Sequence, residues 1–203
     1  MINKLKKALI IFVKNPEPGK VKTRIAQTMG NEKAVAIYQQ LLLHTKKETQ
    51  LLDCDKFIFY ADHIVTNDLW PTSDFHKRTQ QGNGLGERMF HAFDELCNAG
   101  YEQVLIIGSD CMELNSSVIA EGFQQLNTNE LVIGPTCDGG YYLLGMRWLI
   151  PALFNNKPWS TDQVFAETIA DASKIGLRYF LLPTLSDIDT ETDWNHYLQT
   201  QND

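Results

Sequence analysis

Gln103-Val104-Leu105-Ile106-Ile107 is an apolar, largely β-branched run, and Gly108-Ser109-Asp110-Cys111 follows it without a break. The run reads as a strand. A glycine and then a carboxylate at the end of such a strand mark a site, because the strand floor is dry and fixed. Asp110 would there be a positioned oxygen ligand for Mg²⁺ or Mn²⁺. Aspartate in this place also serves as a helix N-cap, a purely structural role.

Working outward, Ala8–Val13, Lys56–Tyr60, Leu131–Ile133, Tyr141–Leu144 and Arg178–Leu182 read as further strands. Between them, Glu32–Leu52, Leu85–Ala99, Ser116–Leu126 and Thr161–Ile175 carry apolar residues at helical spacing. This alternation predicts a three-layer α/β/α sandwich with a mostly parallel sheet. No repeat, linker or low-complexity tract interrupts it, so residues 1–203 are read as one domain. Each polar or glycine-rich loop is read as following a strand and preceding a helix, which places it at the carboxyl edge of the sheet, where open α/β sheets bind ligands.

The first such loop, Lys14-Asn15-Pro16-Glu17-Pro18-Gly19-Lys20-Val21-Lys22-Thr23-Arg24, concentrates the cations Lys14, Lys20, Lys22 and Arg24 in an acidic chain. Gly19 lets backbone approach a ligand, and the following helix start, with Thr23, offers free N–H groups to an anion. The loop reads as a phosphate cradle, or else as a solvated basic loop; its glycine spacing is not that of a P-loop. In Gln80-Gln81-Gly82-Asn83-Gly84-Leu85-Gly86-Glu87-Arg88 the alternate glycines permit close approach to a flat ring or ribose, though a plain helix start explains them nearly as well. Gly84, Gly86 and Arg88, with Gly108 and Ser109, are the candidate nucleotide or sugar contacts. Gly134-Pro135-Thr136-Cys137-Asp138-Gly139-Gly140 reads as a β-turn or as a carrier of Asp138, the candidate for binding or activating an acceptor. In Ser186-Asp187-Ile188-Asp189-Thr190-Glu191-Thr192-Asp193, an Asp or Thr would cap the final helix and leave Asp187 or Asp189 free to face the metal. Trp159-Ser160-Thr161 reads as a helix start, with Trp159 free to stack on a base or sugar.

Bulk properties narrow the classes. The net charge of -7 and the lack of a dense Lys/Arg run argue against nucleic-acid binding. Residues Met1–Lys7 and the apolar run after them superficially suggest a signal peptide, but the run is too short and lacks a cleavage pattern. No stretch approaches the roughly 20 apolar residues of a membrane span. Cys54, Cys97, Cys111 and Cys137 are scattered, so reduced thiols and a cytoplasmic location are expected. Nothing in the sequence bears on oligomeric state.

Phe12-Val13-Lys14, Pro18-Gly19-Lys20-Val21-Lys22-Thr23-Arg24, Gly84-Leu85-Gly86-Glu87-Arg88-Met89, Ile107-Gly108-Ser109-Asp110-Cys111, Asp138-Gly139-Gly140-Tyr141, Trp159-Ser160-Thr161 and Asp187-Ile188-Asp189-Thr190 occur in this order along nearly the whole chain. Together they resemble the radical-SAM/selenodomain-associated transferase family, placed with GT-A-type nucleotide-diphospho-sugar transferases. The resemblance implies a GT-A, Rossmann-like sandwich, a metal-binding Asp110, donor phosphates against Lys14, Lys22 and Arg24, and an acidic residue near Asp187–Asp189 completing the metal site. Met112 and Asn83 depart from the family's usual Pro and Asp. The expected activity is metal-dependent transfer from a nucleotide donor to an unidentified small acceptor, in the manner of a glycosyltransferase. Nucleotidyl transfer with release of pyrophosphate, or a non-catalytic nucleotide-binding subunit, are the alternatives.

Overall fold

In this computed structural model, which describes residues 5–200, side chains on alternate positions of the central strands enter two separate cores. Leu9, Ile11 and Val13 face one, Ala8 and Ile10 the other, as the two-residue period of a strand requires. A strand buried on both faces needs helices on both, and the chain supplies them.

The elements run β1 (Lys7–Val13), α1 (Thr23–Met29), α2 (Asn31–Gln50), β2 (Asp55–Tyr60), β3 (Phe75–Thr79), α3 (Leu85–Asn98), β4 (Gln103–Ile107), α4 (Ser116–Gln125), β5 (Leu131–Pro135), β6 (Tyr141–Met146), a 3₁₀ turn (Pro151–Leu153), α5 (Val164–Lys174), β7 (Tyr179–Leu181) and α6 (Glu191–Thr200). The seven strands form one sheet in the order β3-β2-β1-β4-β6-β5-β7. All pair in parallel except β6, which is antiparallel to both β4 and β5. The predicted mostly parallel α/β sandwich is therefore the observed fold. Residues 1–4, on which part of the leader question turns, lie outside the described residues. No helix among the described residues is long and apolar enough to cross a membrane.

Three elements differ from the sequence reading. The predicted segment Glu32–Leu52 is α2, and a separate short α1 precedes it, divided from it at Gly30, whose φ of +86° favours glycine. Strand β3 was not expected; its Phe-His-Lys-Arg-Thr sequence is that of an exposed edge and carries no apolar alternation. The loop 136–140 leads into antiparallel β6 rather than into a helix, so it closes a hairpin.

The order places a switch point between β1 and β4. Connections leave β1 toward β2 on one side, while β4 lies on the other, and the crevice at the strand ends between them is where such sheets bind ligands. The register Ile10↔Ile106 and Ile11↔Ile107 makes β1 and β4 parallel neighbours, so the loops that begin at Lys14 and Gly108 leave the same edge of the sheet.

Candidate functional site

The loops leaving β1 and β4 are pinned to one atom. Tyr38 lies on the buried stripe of α2, with Ala34, Ile37 and Leu41. Its hydroxyl accepts the Lys14 backbone N–H at 2.8 Å and sits 3.1 Å from the Ser109 hydroxyl. Burial pushes this phenol well above its usual pKa, so it stays neutral. The sequence reading missed Tyr38, although a phenol on an apolar helix stripe signals a buried hydrogen-bond partner.

Beyond this pin, Asp110 leaves β4 with its side chain 43% exposed. It does not cap α4: Asn115 does, accepting from the N–H groups of Ser117 and Val118. The Asp110 carboxylate is therefore free for other partners. Its backbone carbonyl accepts the Ile188 N–H at 2.9 Å, which draws the segment after β7 against the loop. There Thr190 and Asp193 cap α6 reciprocally: Asp193 accepts from the Thr190 N–H and hydroxyl, and donates its own N–H to Thr190 Oγ1. Capping consumes Asp193 and leaves Asp187 and Asp189 facing the site.

Lys22 joins the two sides. Its Nζ lies 2.7 Å from Asp110 Oδ1 and 3.0 Å from Asp189 Oδ1, with the side chain only 4% exposed. Burial works against its charge, but Asp110 and Asp189 outweigh it and hold the ammonium above the usual lysine pKa. Asp187 stands next to this group. Burial first, and then repulsion from Asp110 and Asp189, push its carboxyl up to about 7. Arg24, well exposed, reaches Asp189 at 3.9 Å.

These groups border a cavity of about 610 Å³, within the ordinary range for a small-molecule site. Lys14, Lys22, Thr23, Arg24, Gly84, Arg88, Gly108, Ser109, Asp110, Asp187 and Asp189 all line it, together with Tyr38, Gln80, Asn83, Tyr141 and Tyr142, which were not singled out as site residues. Gly84 starts α3 without any side-chain cap, and with Leu85 it lines the cavity, so that helix begins at the cavity wall. Arg88 is braced by the Gly82 carbonyl at 3.0 Å. A Cβ on Gly108 would meet nothing within 4 Å, so this glycine keeps cavity volume open. Ser109 turns its hydroxyl to Tyr38 and serves the frame.

Four predicted site residues lie elsewhere. Gly19 sits in an exposed turn at φ +76°, outside the cavity wall. Lys20 projects to Glu17 at 2.8 Å and toward Asp62 at 3.7 Å. Gly86 lies beneath the indole of Trp159, where a Cβ would fall 2.1 Å from Nε1. Its bare backbone accommodates that ring, which stacks on Phe154 at 6.2 Å and is not presented to a base. Asp138 is exposed, and its Oδ1 accepts from the Thr136 hydroxyl and the Gly140 N–H. It holds the turn, as the β-turn reading expected, and stands near enough to Asp187 to repel its carboxyl.

The residues present suit a divalent cation. Among the described residues no group of three or more His, Cys, Asp or Glu side chains is arranged to hold a metal alone. Mg²⁺ needs less than that, one or two carboxylates completed by phosphate and water. Oxygens of Asp110 and Asp189 already converge on one cationic atom, and three carboxyls face a single buried ammonium.

The architecture is that of nucleotide-diphospho-sugar transferase and cytidylyltransferase structures. Within it, the chain belongs to the family described as "Uncharacterized protein conserved in bacteria (DUF2064)", whose model matches residues 44–161, more than half of the sequence. The "putative nucleotide-diphospho-sugar transferase" of Desulfovibrio desulfuricans G20 is 32% identical, with a TM-score of 0.91 over 98% of this chain and 89% of that one. The inositol-1-phosphate CTP transferase from T. maritima shares the fold at 9% identity, with a TM-score of 0.56 over 97% and 94% of the two chains. The 4-diphosphocytidyl-2C-methyl-D-erythritol synthase of Anaerococcus prevotii DSM 20548 does so at 12% identity, with a TM-score of 0.59 over 96% of each chain. No curated protein matches the sequence. None of these names refers to a radical-SAM or selenodomain association, which stands on the sequence resemblance alone.

Proposed function

We propose that the protein is a transferase that takes a nucleotide-diphospho-sugar as donor, with Mg²⁺ or Mn²⁺ held by Asp110 together with Asp189 or Asp187. The observation that carries this reading is the convergence of Asp110 and Asp189 on one buried cationic atom, at the carboxyl edge of β4 and over the cavity. The name of the relative that is 32% identical points the same way.

In such a transfer the acceptor oxygen bonds to the anomeric carbon, the bond from that carbon to the diphosphate breaks, and a nucleoside diphosphate leaves with the bonding electrons. The metal, when bound, supplies positive charge against the diphosphate. The chain's own task is to place and neutralise that leaving group. Lys14, Thr23 and Arg24 line the cavity, and the positive end of α3, which starts at its wall, adds to their field. Catalysis of this kind is positioning and electrostatics, with no covalent nucleophile required.

A second reading, nucleotidyl transfer, is favoured by the number of cations. Lys14, Lys22 and Arg24 on one wall suit the larger charge of a triphosphate. There an acceptor oxygen bonds to the α-phosphorus and pyrophosphate leaves. The products separate the two. Incubation with nucleotide sugars and with nucleoside triphosphates, plus Mg²⁺ and a panel of phosphorylated and hydroxylated acceptors, should release nucleoside diphosphate only from the former. Pyrophosphate released from a triphosphate would establish the second reading instead, and release of neither across the panel would remove both.

A further inference from the structure

Lys22 is a non-glycine residue in the left-handed region, at φ 45° and ψ 49°. A lysine adopts that conformation only where its surroundings over-determine it. What over-determines it here is its own head group, seated between Asp110 Oδ1 and Asp189 Oδ1 with almost no access to solvent. A metal ion bound to those two oxygens would lie about 2.0–2.1 Å from each. The ammonium already stands within hydrogen-bond distance of both, so the two cations cannot share the seat.

We propose that Lys22 is a resident cation that fills the metal seat until the phosphates of a nucleotide draw its ammonium away, so that divalent metal enters with the nucleotide rather than ahead of it. The inference rests on the proposed nucleotide-and-metal reading and adds an order of binding to it. Three observations support the exchange. Asp110 and Asp189 are each close to half exposed, so the seat can be reached from the cavity. Asp187 lines the same cavity beside the pair, so a third carboxyl borders the seat if the ammonium leaves. Lys14 lines the cavity and Arg24, well exposed, only approaches Asp189 Oδ2 at 3.9 Å, so an incoming polyphosphate meets cations before it reaches Lys22. Release of the left-handed backbone also lowers the cost of withdrawing the side chain.

The test is Mn²⁺ binding followed by loss of the free-ion paramagnetic resonance signal, on nucleotide-free protein. Wild type should leave Mn²⁺ free at concentrations where Lys22→Met binds it at least about tenfold more tightly, a change readily resolved in such titrations. Lys22→Met with Asp110→Asn should lose the gain. Equal nucleotide-free Mn²⁺ affinity in wild type and Lys22→Met would overturn the proposal. Should Lys22→Met fail to fold, wild type alone decides: Mn²⁺ should bind the protein, beyond the signal loss the same nucleotide causes by itself, only when one of the common nucleoside triphosphates or nucleotide sugars is added. Equal affinity with and without nucleotide overturns the exchange. Nucleotide-dependent Mn²⁺ binding that is lost in Asp110→Asn, without any gain in Lys22→Met, overturns the exchange and leaves the proposed function standing. No Mn²⁺ binding in either state overturns both.

Discussion

Two glycines show how one missing side chain serves opposite ends. At Gly108 the space beyond the Cα is open cavity, whereas at Gly86 it is filled by the Trp159 indole. The consequences of substitution should differ accordingly. Gly108→Val should leave the unfolding midpoint almost unchanged, within about 0.5 kcal/mol, because no neighbour has to move. It should also abolish any nucleotide-induced thermal shift, because the new side chain projects into the ligand space. Gly86→Ala should do the reverse at the level of the fold, costing about 1–3 kcal/mol as the indole is displaced. Urea unfolding with tryptophan fluorescence reads both the loss and the ring's new environment. A silent Gly86→Ala would contradict the packing described around Trp159.

At the scale of elements, α2 governs the site from behind. Tyr38 ties the exits of β1 and β4, so Tyr38→Phe should leave the Lys14 N–H and the Ser109 hydroxyl without their buried partner. The expected cost is about 1–3 kcal/mol in thermal or urea unfolding. Nucleotide affinity should fall as well, because both loops carry cavity residues; unchanged affinity would detach the pin from the site. The same scale shows what the sequence could reveal. Buried strands such as β1 and β4 were legible, because continuous apolar runs are the direct mark of a strand covered on both faces. β3 was not, since an edge strand that exposes His76 and Arg78 has no apolar period to read. The direction of β6 was hidden from periodicity, but the short 136–140 link was a missed signal. A parallel crossover needs about a dozen residues or more, so so short a link implies an antiparallel pair. In the site, polar residues at strand ends were legible because topology alone carries them to one edge. Gly86 was misread because its role lies in contact with Trp159, which spacing does not encode.

For the molecule as a whole, the two cores set stability while individual carboxyls shifted by burial or pairing give it a dependence on pH. Lys157, buried before α5, donates to Asp171, and that hydrogen bond holds the Asp171 carboxyl below the usual carboxylate range. A depressed folded pKa means that the contribution is fully present above the unfolded value of 3.8 and is lost as pH falls through the folded one. Wild type should therefore lose stability on acidification below that value, and Asp171→Asn should flatten this part of a urea-unfolding profile; an unchanged acid limb would contradict the pairing. The central claim is that the β1–β4 crevice holds a nucleotide's phosphates with a divalent metal at Asp110. It is tested most directly by thermal unfolding with nucleoside triphosphates and nucleotide sugars, each with and without Mg²⁺, in wild type and Asp110→Asn. One nucleotide should stabilise wild type only when Mg²⁺ is present, by about 2.7 kcal/mol at a hundredfold excess over its dissociation constant, and should fail to stabilise Asp110→Asn. No stabilisation by any nucleotide, or an equal shift in Asp110→Asn without metal, would contradict the account.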